Sequence, residues 1–397
     1  MLILKNFQTI FRFLFDKVEK IIIIQLRLKN NGGILMEEMR LVEQSEKYNY
    51  RVYENSKYKE FKSPKANYVF DKITGRMYSW GERAKDDPKE FPSPNILDIE
   101  ISTICTKGCK FCYKSNISQG HNMSYEEFTK MLDILPKSIT QIAFGSGYFG
   151  TENPDIYRMM DYSRKKGIIP NITVGYVSDE SADEFAKRVG AIAISRYEPK
   201  DNCYDSVKKM TDRGISQTNI HYMICEETYE GAIQTIKDAK SDPRLEKLNA
   251  IVFLSLKTKG RGETGFTPLS LEKFKNLCTL ATELGVGIGF DSCSSLKAFE
   301  SFEGDEKIAQ MIEPCESGII SFYISSYGKG YPCSFAEGYS HNGIDWSEGV
   351  DVFSCTSSED FLDKVWNNKR IVEFKKMLHD STNCNGYNCR TCPLYTI

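Results

Sequence analysis

The alternation of strand-like and helix-like segments between residues 96 and 291 constrains the fold of this chain more than any other feature. Short apolar runs, such as Ile169–Val174 and Ala191–Ser195, are separated by amphipathic stretches of helical length. Strands that alternate with such helices form parallel sheets built from βα units. The sequence therefore predicts an α/β fold with a parallel sheet.

The boundaries of these elements follow from apolar periodicity and from capping signals. Ser124 and Glu127 form the S-x-x-E pattern of a capping box at the start of the first helix. The predicted strands are 96–102, 141–144, 169–174, 191–195, 220–224, 250–256 and 287–291. The predicted helices are 124–135, 154–166, 180–189, 206–213, 229–239 and 269–284.

Residues 36–95 form a polar, tyrosine-rich region ahead of the strand–helix alternation. Within it, the run 67–81 predicts two short strands around a turn at Asp71–Gly75, an N-terminal β-hairpin. A proline-rich connector, 86–95, then leads into the first strand of the main region.

Residues 1–35 are apolar, but charged residues interrupt them too often for a segment of about 20 residues to span a bilayer. Gly32 and Gly33 lie shortly before Met36, where two glycine codons can form a ribosome-binding sequence. We therefore expect translation to begin at Met36 and residues 1–35 to be a mis-annotated or disordered leader. A peripheral amphipathic membrane helix is the alternative.

Composition excludes several classes of protein. The 397 residues carry a formal net charge of −2, which is not the footprint of a nucleic-acid-binding protein. Hydrophobic residues at 41% and aromatic residues at 12% are typical of a globular chain. Thirteen cysteines without an export signal indicate metal sites in a reducing compartment, so we expect a cytoplasmic location.

Cys105, Cys109 and Cys112 form a C-x3-C-x2-C motif directly after the strand 96–102. Three thiolates at this spacing can bind one iron–sulfur cluster. Because a [4Fe–4S] cubane has four irons, three cysteines leave one iron open to a small molecule. Closely spaced cysteines also bind structural zinc, but the next cysteine after the motif is Cys203, so a nearby fourth ligand is missing.

This motif, with Phe111 before its third cysteine, resembles the signature of the radical S-adenosylmethionine (SAM) enzymes. The resemblance implies a partial (β/α)6 TIM-like barrel over residues 96–300, with the active site at the C-terminal strand ends. It implies a [4Fe–4S] cluster on Cys105, Cys109 and Cys112, whose open iron holds SAM. A flavodoxin- or ferredoxin-type donor would supply the electron that cleaves SAM to a 5′-deoxyadenosyl radical, which abstracts hydrogen from the substrate.

The resemblance also implies SAM-binding positions. A glycine-rich segment after the second strand binds the SAM amino group in this family, and here the segment contains Gly145, Ser146 and Gly147. The glutamate that the family has at that point is missing, and we assign no role to Glu152. Ser195 closes the fourth strand, where a residue often meets the SAM carboxylate. Phe111 is expected to cover the cluster or the adenine.

Residues 301–397 resemble the SPASM and twitch extensions of radical SAM enzymes. The resemblance lies in Cys315-x12-Gly328-x4-Cys333 and in a Trp-containing helical linker, 361–378. It implies one auxiliary [4Fe–4S] cluster, bound by Cys315, Cys333, Cys389 and Cys392, with Cys384 as a substitute for one of them. A structural zinc site at the same cysteines is the alternative.

The remaining cysteines and histidines give weaker indications. Cys225 and Cys278 lie in apolar elements and are expected to pack as small hydrophobic residues. Cys293 is the best candidate for a substrate-facing thiol, with an inert loop cysteine as the alternative. His121 and His221 receive no catalytic role.

The function implied by the resemblance is hydrogen abstraction from a substrate. Enzymes with this type of extension mostly modify peptides or proteins, so a peptide substrate is expected. A small-molecule substrate, such as a sugar or nucleoside, stays open. The alternative of another class is a non-catalytic zinc or iron–sulfur protein.

Overall fold

The structure is a computed structural model that describes residues 38–84, 86, 88–302, 312–380 and 390–395. These residues form two compact units that divide between Pro92 and Ser93. The expected start at Met36 lies outside the described residues, as do Cys384 and Cys389.

The unit that ends at Pro92 contains a five-stranded antiparallel sheet in the order β1-β2-β3-β4-β5. Its core is aromatic, with the Phe61 ring stacked between those of Tyr50 and Tyr68 at centroid distances of 5.1 and 5.4 Å. The strands are β1 Arg40–Ser45, β2 Tyr50–Glu54, β3 Tyr58–Lys62, β4 Asn67–Asp71 and β5 Met77–Trp80.

The predicted hairpin corresponds to β4 and β5, which pair antiparallel. The predicted pair of strands is present, but the prediction of a hairpin alone was wrong, because three more strands precede it in the same sheet. Charged residues interrupt the apolar alternation of these strands, as in β1, Arg40–Ser45, where no residue is buried. A hydrophobic pattern is the main sequence signal for a strand, so such strands escape detection.

The larger unit contains the predicted α/β region. Its strands are β6 Ile96–Glu100, β7 Gln141–Gly145, β8 Ile169–Val174, β9 Ala191–Ser195, β10 Thr218–Ile224, β11 Ala250–Ser255, β12 Ile288–Phe290, β13 Ser321–Ile324, β14 Lys329–Tyr331, β15 Tyr339–His341, β16 Ile344–Trp346 and β17 Val350–Asp351. Its helices are α1 Tyr125–Ile134, α2 Ile156–Lys165, α3 Asp179–Ala186, α4 Lys200–Asp212, α5 Tyr229–Ser241, α6 Leu271–Glu283, α7 Ser295–Ser301, α8 Ser358–Phe361 and α9 Lys369–Asp380.

Most of these strands form one ten-stranded sheet, in the order β12-β11-β10-β9-β8-β7-β6-β13-β14-β17. All neighbours from β12 to β13 in this order pair parallel, and β14 pairs antiparallel with both β13 and β17. The prediction of a mixed α/β fold with a parallel sheet is therefore confirmed. Among the described residues β12 and β17 do not pair, so this sheet is open, and a partial barrel stays a prediction.

Helix α1 begins as its sequence predicts. The Ser124 side chain accepts a hydrogen bond from the Glu127 amide, and the Glu127 carboxylate accepts one from the Ser124 amide at 2.8 Å. This reciprocal pair satisfies two amides that the first turn of a helix leaves without partners. Phe128, Met131 and Leu132 form the buried face of the helix.

Parallel register brings the C-terminal strand ends to one edge of the sheet. Glu100 at the end of β6 pairs with Gly145 at the end of β7, and Ser195 at the end of β9 pairs with His221. The loops that follow these strands, including the one with the three cysteines, therefore leave the sheet on the same side. No helix within the described ranges is long and apolar enough to cross a membrane.

Candidate functional site

The cysteine loop leaves the sheet directly after β6 and is held closed at its base. The Thr103 amide donates to the His121 carbonyl at 3.0 Å, and the Cys105 amide donates to the Ile117 carbonyl at 2.7 Å. Gly108 adopts a φ of +64°, a left-handed conformation that glycine adopts without strain. The loop therefore turns tightly between its first two cysteines.

The structure brings the three cysteine thiols of the loop together. All three are half-buried, and the Cys109 thiol interacts electrostatically with those of Cys105 and Cys112. Burial raises the pKa of Cys109, while a hydrogen bond from the Tyr197 hydroxyl opposes this effect. A bound metal deprotonates such thiols, which is the form in which cysteine acts as a ligand.

Across the described ranges, no three or more His, Cys, Asp and Glu side chains surround a point as the ligands of one metal ion do. Thiolates of an iron–sulfur cubane each bind a different iron. They need not converge on a single point in the way that the four ligands of a zinc ion do.

Arg261, in the turn that follows β11, forms hydrogen bonds to the cysteine loop. Its amide donates to the Cys112 carbonyl at 3.0 Å, and its Nε donates to the Cys109 carbonyl at 2.7 Å. The preceding residue, Gly260, leaves no room for a Cβ, which would lie 2.8 Å from the Cys112 carbonyl oxygen. Arg261 was not predicted as a site residue. The only sequence feature that could have indicated it is its position in the stretch Gly260–Glu263, which follows a strand end.

The segment Gly145, Ser146 and Gly147 follows β7 beside the cysteine loop. A Cβ on Gly147 would collide with the Ile104 carbonyl oxygen and with the Glu152 carboxylate. Glu152, which was not predicted to have a role, folds back onto this segment and accepts hydrogen bonds from the Phe149 amide at 2.8 Å and the Ser146 hydroxyl at 3.4 Å. Glycine is therefore required at position 147 by close packing.

Aromatic side chains surround the cysteine loop. The Phe111 ring stacks on Tyr197 at 5.8 Å and meets Phe266 edge-on at 5.9 Å. Lys107 lies 4.8 Å from the ring centroid of Tyr148 and 5.6 Å from that of Tyr197. Tyr197 was not predicted as a site residue, although it lies two positions after the strand end at Ser195.

Ser195 closes β9 as predicted, and its hydroxyl interacts with the Tyr197 hydroxyl. Burial and the neighbouring Cys109 raise the pKa of Tyr197 well above its usual value, so the phenol keeps its proton.

A group of charged side chains connects the cysteine loop to the C-terminal extension. Lys114, two residues after Cys112, forms an ion pair with Glu100 at 3.1 Å and a second one with Glu337. Its ammonium group also donates to the Tyr323 hydroxyl at 2.8 Å. Since Glu100 is buried and Glu337 lies in the extension, the loop cannot move far without separating these charges.

The extension brings together three of the predicted auxiliary ligands, Cys315, Cys333 and Cys392. The Cys333 thiol interacts electrostatically with both of the others, and burial together with these neighbours raises the pKa of Cys333 to about 12. The fourth thiol in this group is Cys293, which interacts with Cys315 and Cys392. Cys293 was predicted as a substrate-facing thiol, and its proximity to Cys315 and Cys392 was not predicted. These residues are far apart in the sequence, so no local pattern indicates that they meet.

Cys225 and Cys278 are fully buried, as expected of small hydrophobic side chains. Burial raises the pKa of Cys278 to about 12. His121 stacks on Tyr327 with ring centroids 4.4 Å apart.

His221 is a buried histidine in β10. Its Nδ1 lies 3.4 Å from the Thr173 hydroxyl, and its Nε2 has no hydrogen-bond partner among the described residues. Burial lowers the pKa of His221 to about 3, so the imidazole is neutral near pH 7. Sequence reasoning gave no role to this residue, because a lone histidine in a strand carries no distinguishing pattern.

The pKa of His221 predicts acid destabilisation. The unfolded chain binds a proton at this residue below about pH 6.5, while the folded chain does not until about pH 3. Stability from this residue is therefore complete above pH 6.5 and falls by about 1.4 kcal/mol per pH unit below it. The free energy of unfolding, measured by urea titration, should fall between pH 7.5 and 5.5. We expect this fall to be smaller in His221→Gln than in the unmodified protein. An identical loss in both proteins would contradict the burial of a neutral imidazole.

The fold is similar to crystal structures of Streptococcus suis SuiB. The match to SuiB bound to precursor peptide SuiA has a TM-score of 0.59 at 15% identity and covers 75% of this chain and 70% of SuiB. The match to SuiB bound to S-adenosylmethionine has a TM-score of 0.55 at 15% identity and covers 75% and 71%. No protein-family model matches the sequence, and neither does any curated protein. The chain therefore shares the fold of SuiB.

Proposed function

We propose that this protein is a radical SAM enzyme that acts on a peptide or protein substrate. The observation that carries the proposal is the cysteine loop: three thiols gathered at the C-terminal end of β6, in a fold shared with SuiB. Enzymes on α/β sheets of this kind bind their ligands at the C-terminal strand ends.

The residues present fit a [4Fe–4S] cluster and SAM. Cys105, Cys109 and Cys112 would bind three irons. Gly147 packs against the Ile104 carbonyl and the Glu152 carboxylate, which holds the backbone of the segment proposed to bind SAM beside the cysteine loop. When bound, the cluster and SAM supply a 5′-deoxyadenosyl radical that abstracts hydrogen from the substrate.

The protein's own residues hold and shield this site. Arg261 fixes the backbone carbonyls of Cys109 and Cys112, so the thiols are presented in one arrangement. Phe111 and Tyr197 cover the loop with stacked rings, which limits the access of water. The Tyr197 hydroxyl lies beside the Cys109 thiol, where a hydrogen bond to the sulfur would tune the reduction potential of an iron–sulfur cluster.

Cleavage of SAM tests this proposal. Anaerobically reconstituted protein with dithionite and SAM is expected to form 5′-deoxyadenosine and methionine in a one-to-one ratio. Protein that contains stoichiometric zinc and forms no 5′-deoxyadenosine would instead support the non-catalytic alternative.

Substitution of Gly147 separates SAM binding from cluster assembly. In Gly147→Val, the added side chain must displace the Ile104 carbonyl or the Glu152 carboxylate, which distorts the segment beside the cysteine loop. We expect SAM affinity to fall at least about tenfold, a loss of about 1.4 kcal/mol, while the iron content is retained. Equilibrium binding of radiolabelled SAM and iron analysis measure the two quantities. Unchanged affinity would remove Gly147 from the proposed SAM site.

A peptide substrate is supported by the similarity to SuiB, which has been crystallised with a precursor peptide. Cell extract from the source organism is fractionated by molecular mass and added to the protein. We expect at least one fraction to stimulate 5′-deoxyadenosine formation, and protease treatment of that fraction should abolish the stimulation. Stimulation that survives protease treatment would favour a sugar or nucleoside.

The proposed auxiliary [4Fe–4S] cluster lies in the C-terminal extension, with Cys315, Cys333 and Cys392 among its ligands. Their mutual proximity supports it. A flavodoxin- or ferredoxin-type protein is the proposed electron donor for the cluster of the cysteine loop.

A further inference from the structure

We infer that Cys293 is a ligand of the auxiliary cluster, together with Cys315, Cys333 and Cys392. The inference rests on the proposed auxiliary site and changes its ligand set, because the sequence assigns the fourth position to Cys389 or Cys384. It places one ligand on the turn after β12, outside the C-terminal extension.

The turn that carries Cys293 is held by a buried hydrogen-bond network. Cys293 is the central residue of the short 3-10 turn Ser292–Ser294. The Asp291 carboxylate accepts hydrogen bonds from the amide and the hydroxyl of Ser294. The Ser294 hydroxyl in turn lies 2.7 Å from that of Ser255 at the end of β11. The backbone on both sides of Cys293 is therefore fixed relative to the sheet.

Lys257 links this turn to the turn of Cys333. Its ammonium group forms an ion pair with Asp291, donates to the Ser255 carbonyl at 2.8 Å and lies close enough to Cys293 to interact with it electrostatically. The same ammonium group lies 4.9 Å from the ring centroid of Phe335. Phe335 belongs to the turn closed by a 3.1 Å hydrogen bond from the Ala336 amide to the Cys333 carbonyl. One buried cation thus contacts the segments that carry two of the four thiols.

The segment 390–395 brings the third thiol to the same place. Arg390 donates to the Cys315 carbonyl at 2.6 Å, and the Tyr395 hydroxyl donates to the Phe335 carbonyl at 3.2 Å. Cys392 lies between these two anchors in the sequence. It is therefore held between the backbone of Cys315 and the turn of Cys333.

The electrostatic environment agrees with a metal-bound group. Cys293, Cys315 and Cys392 interact with one another, and Cys333 interacts with the latter two. Four thiols that share one site in this way can each bind a different iron of one cubane. The Lys257 cation beside Cys293 further offsets the negative charge that a cluster with four thiolates carries.

The assignment has a chemical consequence for the proposed enzyme. A cubane with four thiolate ligands has no open iron. The auxiliary cluster would therefore serve electron transfer, and binding of the substrate would fall to the side chains around it.

The test uses the full chain with Cys105→Ala, Cys109→Ala and Cys112→Ala, so that iron reports on the auxiliary site alone. This background is expected to hold about four irons per chain after anaerobic reconstitution. Adding Cys293→Ala is expected to lower the iron content by at least about half, or to change the EPR spectrum of the reduced cluster. Adding Cys278→Ala, a buried cysteine on α6, is the matched control and should change neither.

A background protein that keeps the same iron content and EPR spectrum after Cys293→Ala would overturn the inference, as would zinc in place of iron. A second measurement needs no substitution at Cys293. In the background protein, iron reconstitution is expected to protect Cys293 from iodoacetamide to the same degree as Cys315, and unprotected Cys293 would also overturn the inference. Failure of SAM cleavage in the unmodified chain is a separate result, because the background lacks the cysteines of that site.

Discussion

Replacement of Cys105, Cys109 and Cys112 by alanine is expected to remove about four irons per chain and to reduce 5′-deoxyadenosine formation to the rate without protein. The three thiols are the only protein ligands proposed for this cluster, so no partial activity should remain. Iron analysis and chromatography of the SAM products measure the two effects. No other substitution proposed for this protein has a larger expected effect on activity.

The control for this experiment is Cys278→Ala with Cys225→Ala, which removes two buried cysteines that lie in apolar elements. This variant should retain its iron and form 5′-deoxyadenosine. If the triple variant still cleaves SAM, the cysteine loop does not hold the reactive cluster and the proposed site is wrong.

Lys257→Met is expected to cause the largest loss of stability, about 3–5 kcal/mol in the free energy of unfolding. The side chains of Lys257 and Asp291 are 3% and 9% exposed, so the substitution leaves a buried carboxylate without its counter-charge. Burial alone would lower the pKa of Lys257, but Asp291 and then Cys293 outweigh this effect and raise it, which keeps the Lys257 ammonium charged. Urea unfolding of anaerobically purified protein measures the loss.

Two further variants identify the cause of this loss. Lys257→Met combined with Asp291→Asn removes both charges, keeps an oxygen that can accept from Ser294, and should recover most of the stability. Lys208→Met breaks the exposed ion pair with Asp212, where the side chains are 53% and 46% exposed, and should cost less than about 1 kcal/mol. If Lys257→Met and Lys208→Met lose the same free energy of unfolding, the buried ion pair contributes no more to stability than the exposed one.

The strand–helix alternation predicted most strands and helices of the α/β region, because apolar periodicity and helix capping depend on residues close in sequence. Strands β8 and β9 have the predicted bounds, and the capping box at Ser124 is present. Helix α4 begins at Lys200, six residues before the predicted start at Ser206, since its first turn is polar and has no side-chain cap. The helix α7, Ser295–Ser301, was not predicted because it is too short to show a period.

Local patterns along the chain were enough to predict the α/β class of the larger unit and the grouping of Cys105, Cys109 and Cys112, since both depend on residues that are close in sequence. Only the tertiary structure brought Arg261 to the cysteine loop, Lys114 to Glu337, and Cys293 to Cys315 and Cys392. These contacts join residues far apart in the chain. They depend on the register of the parallel strands and on the path of the extension, which local patterns do not encode.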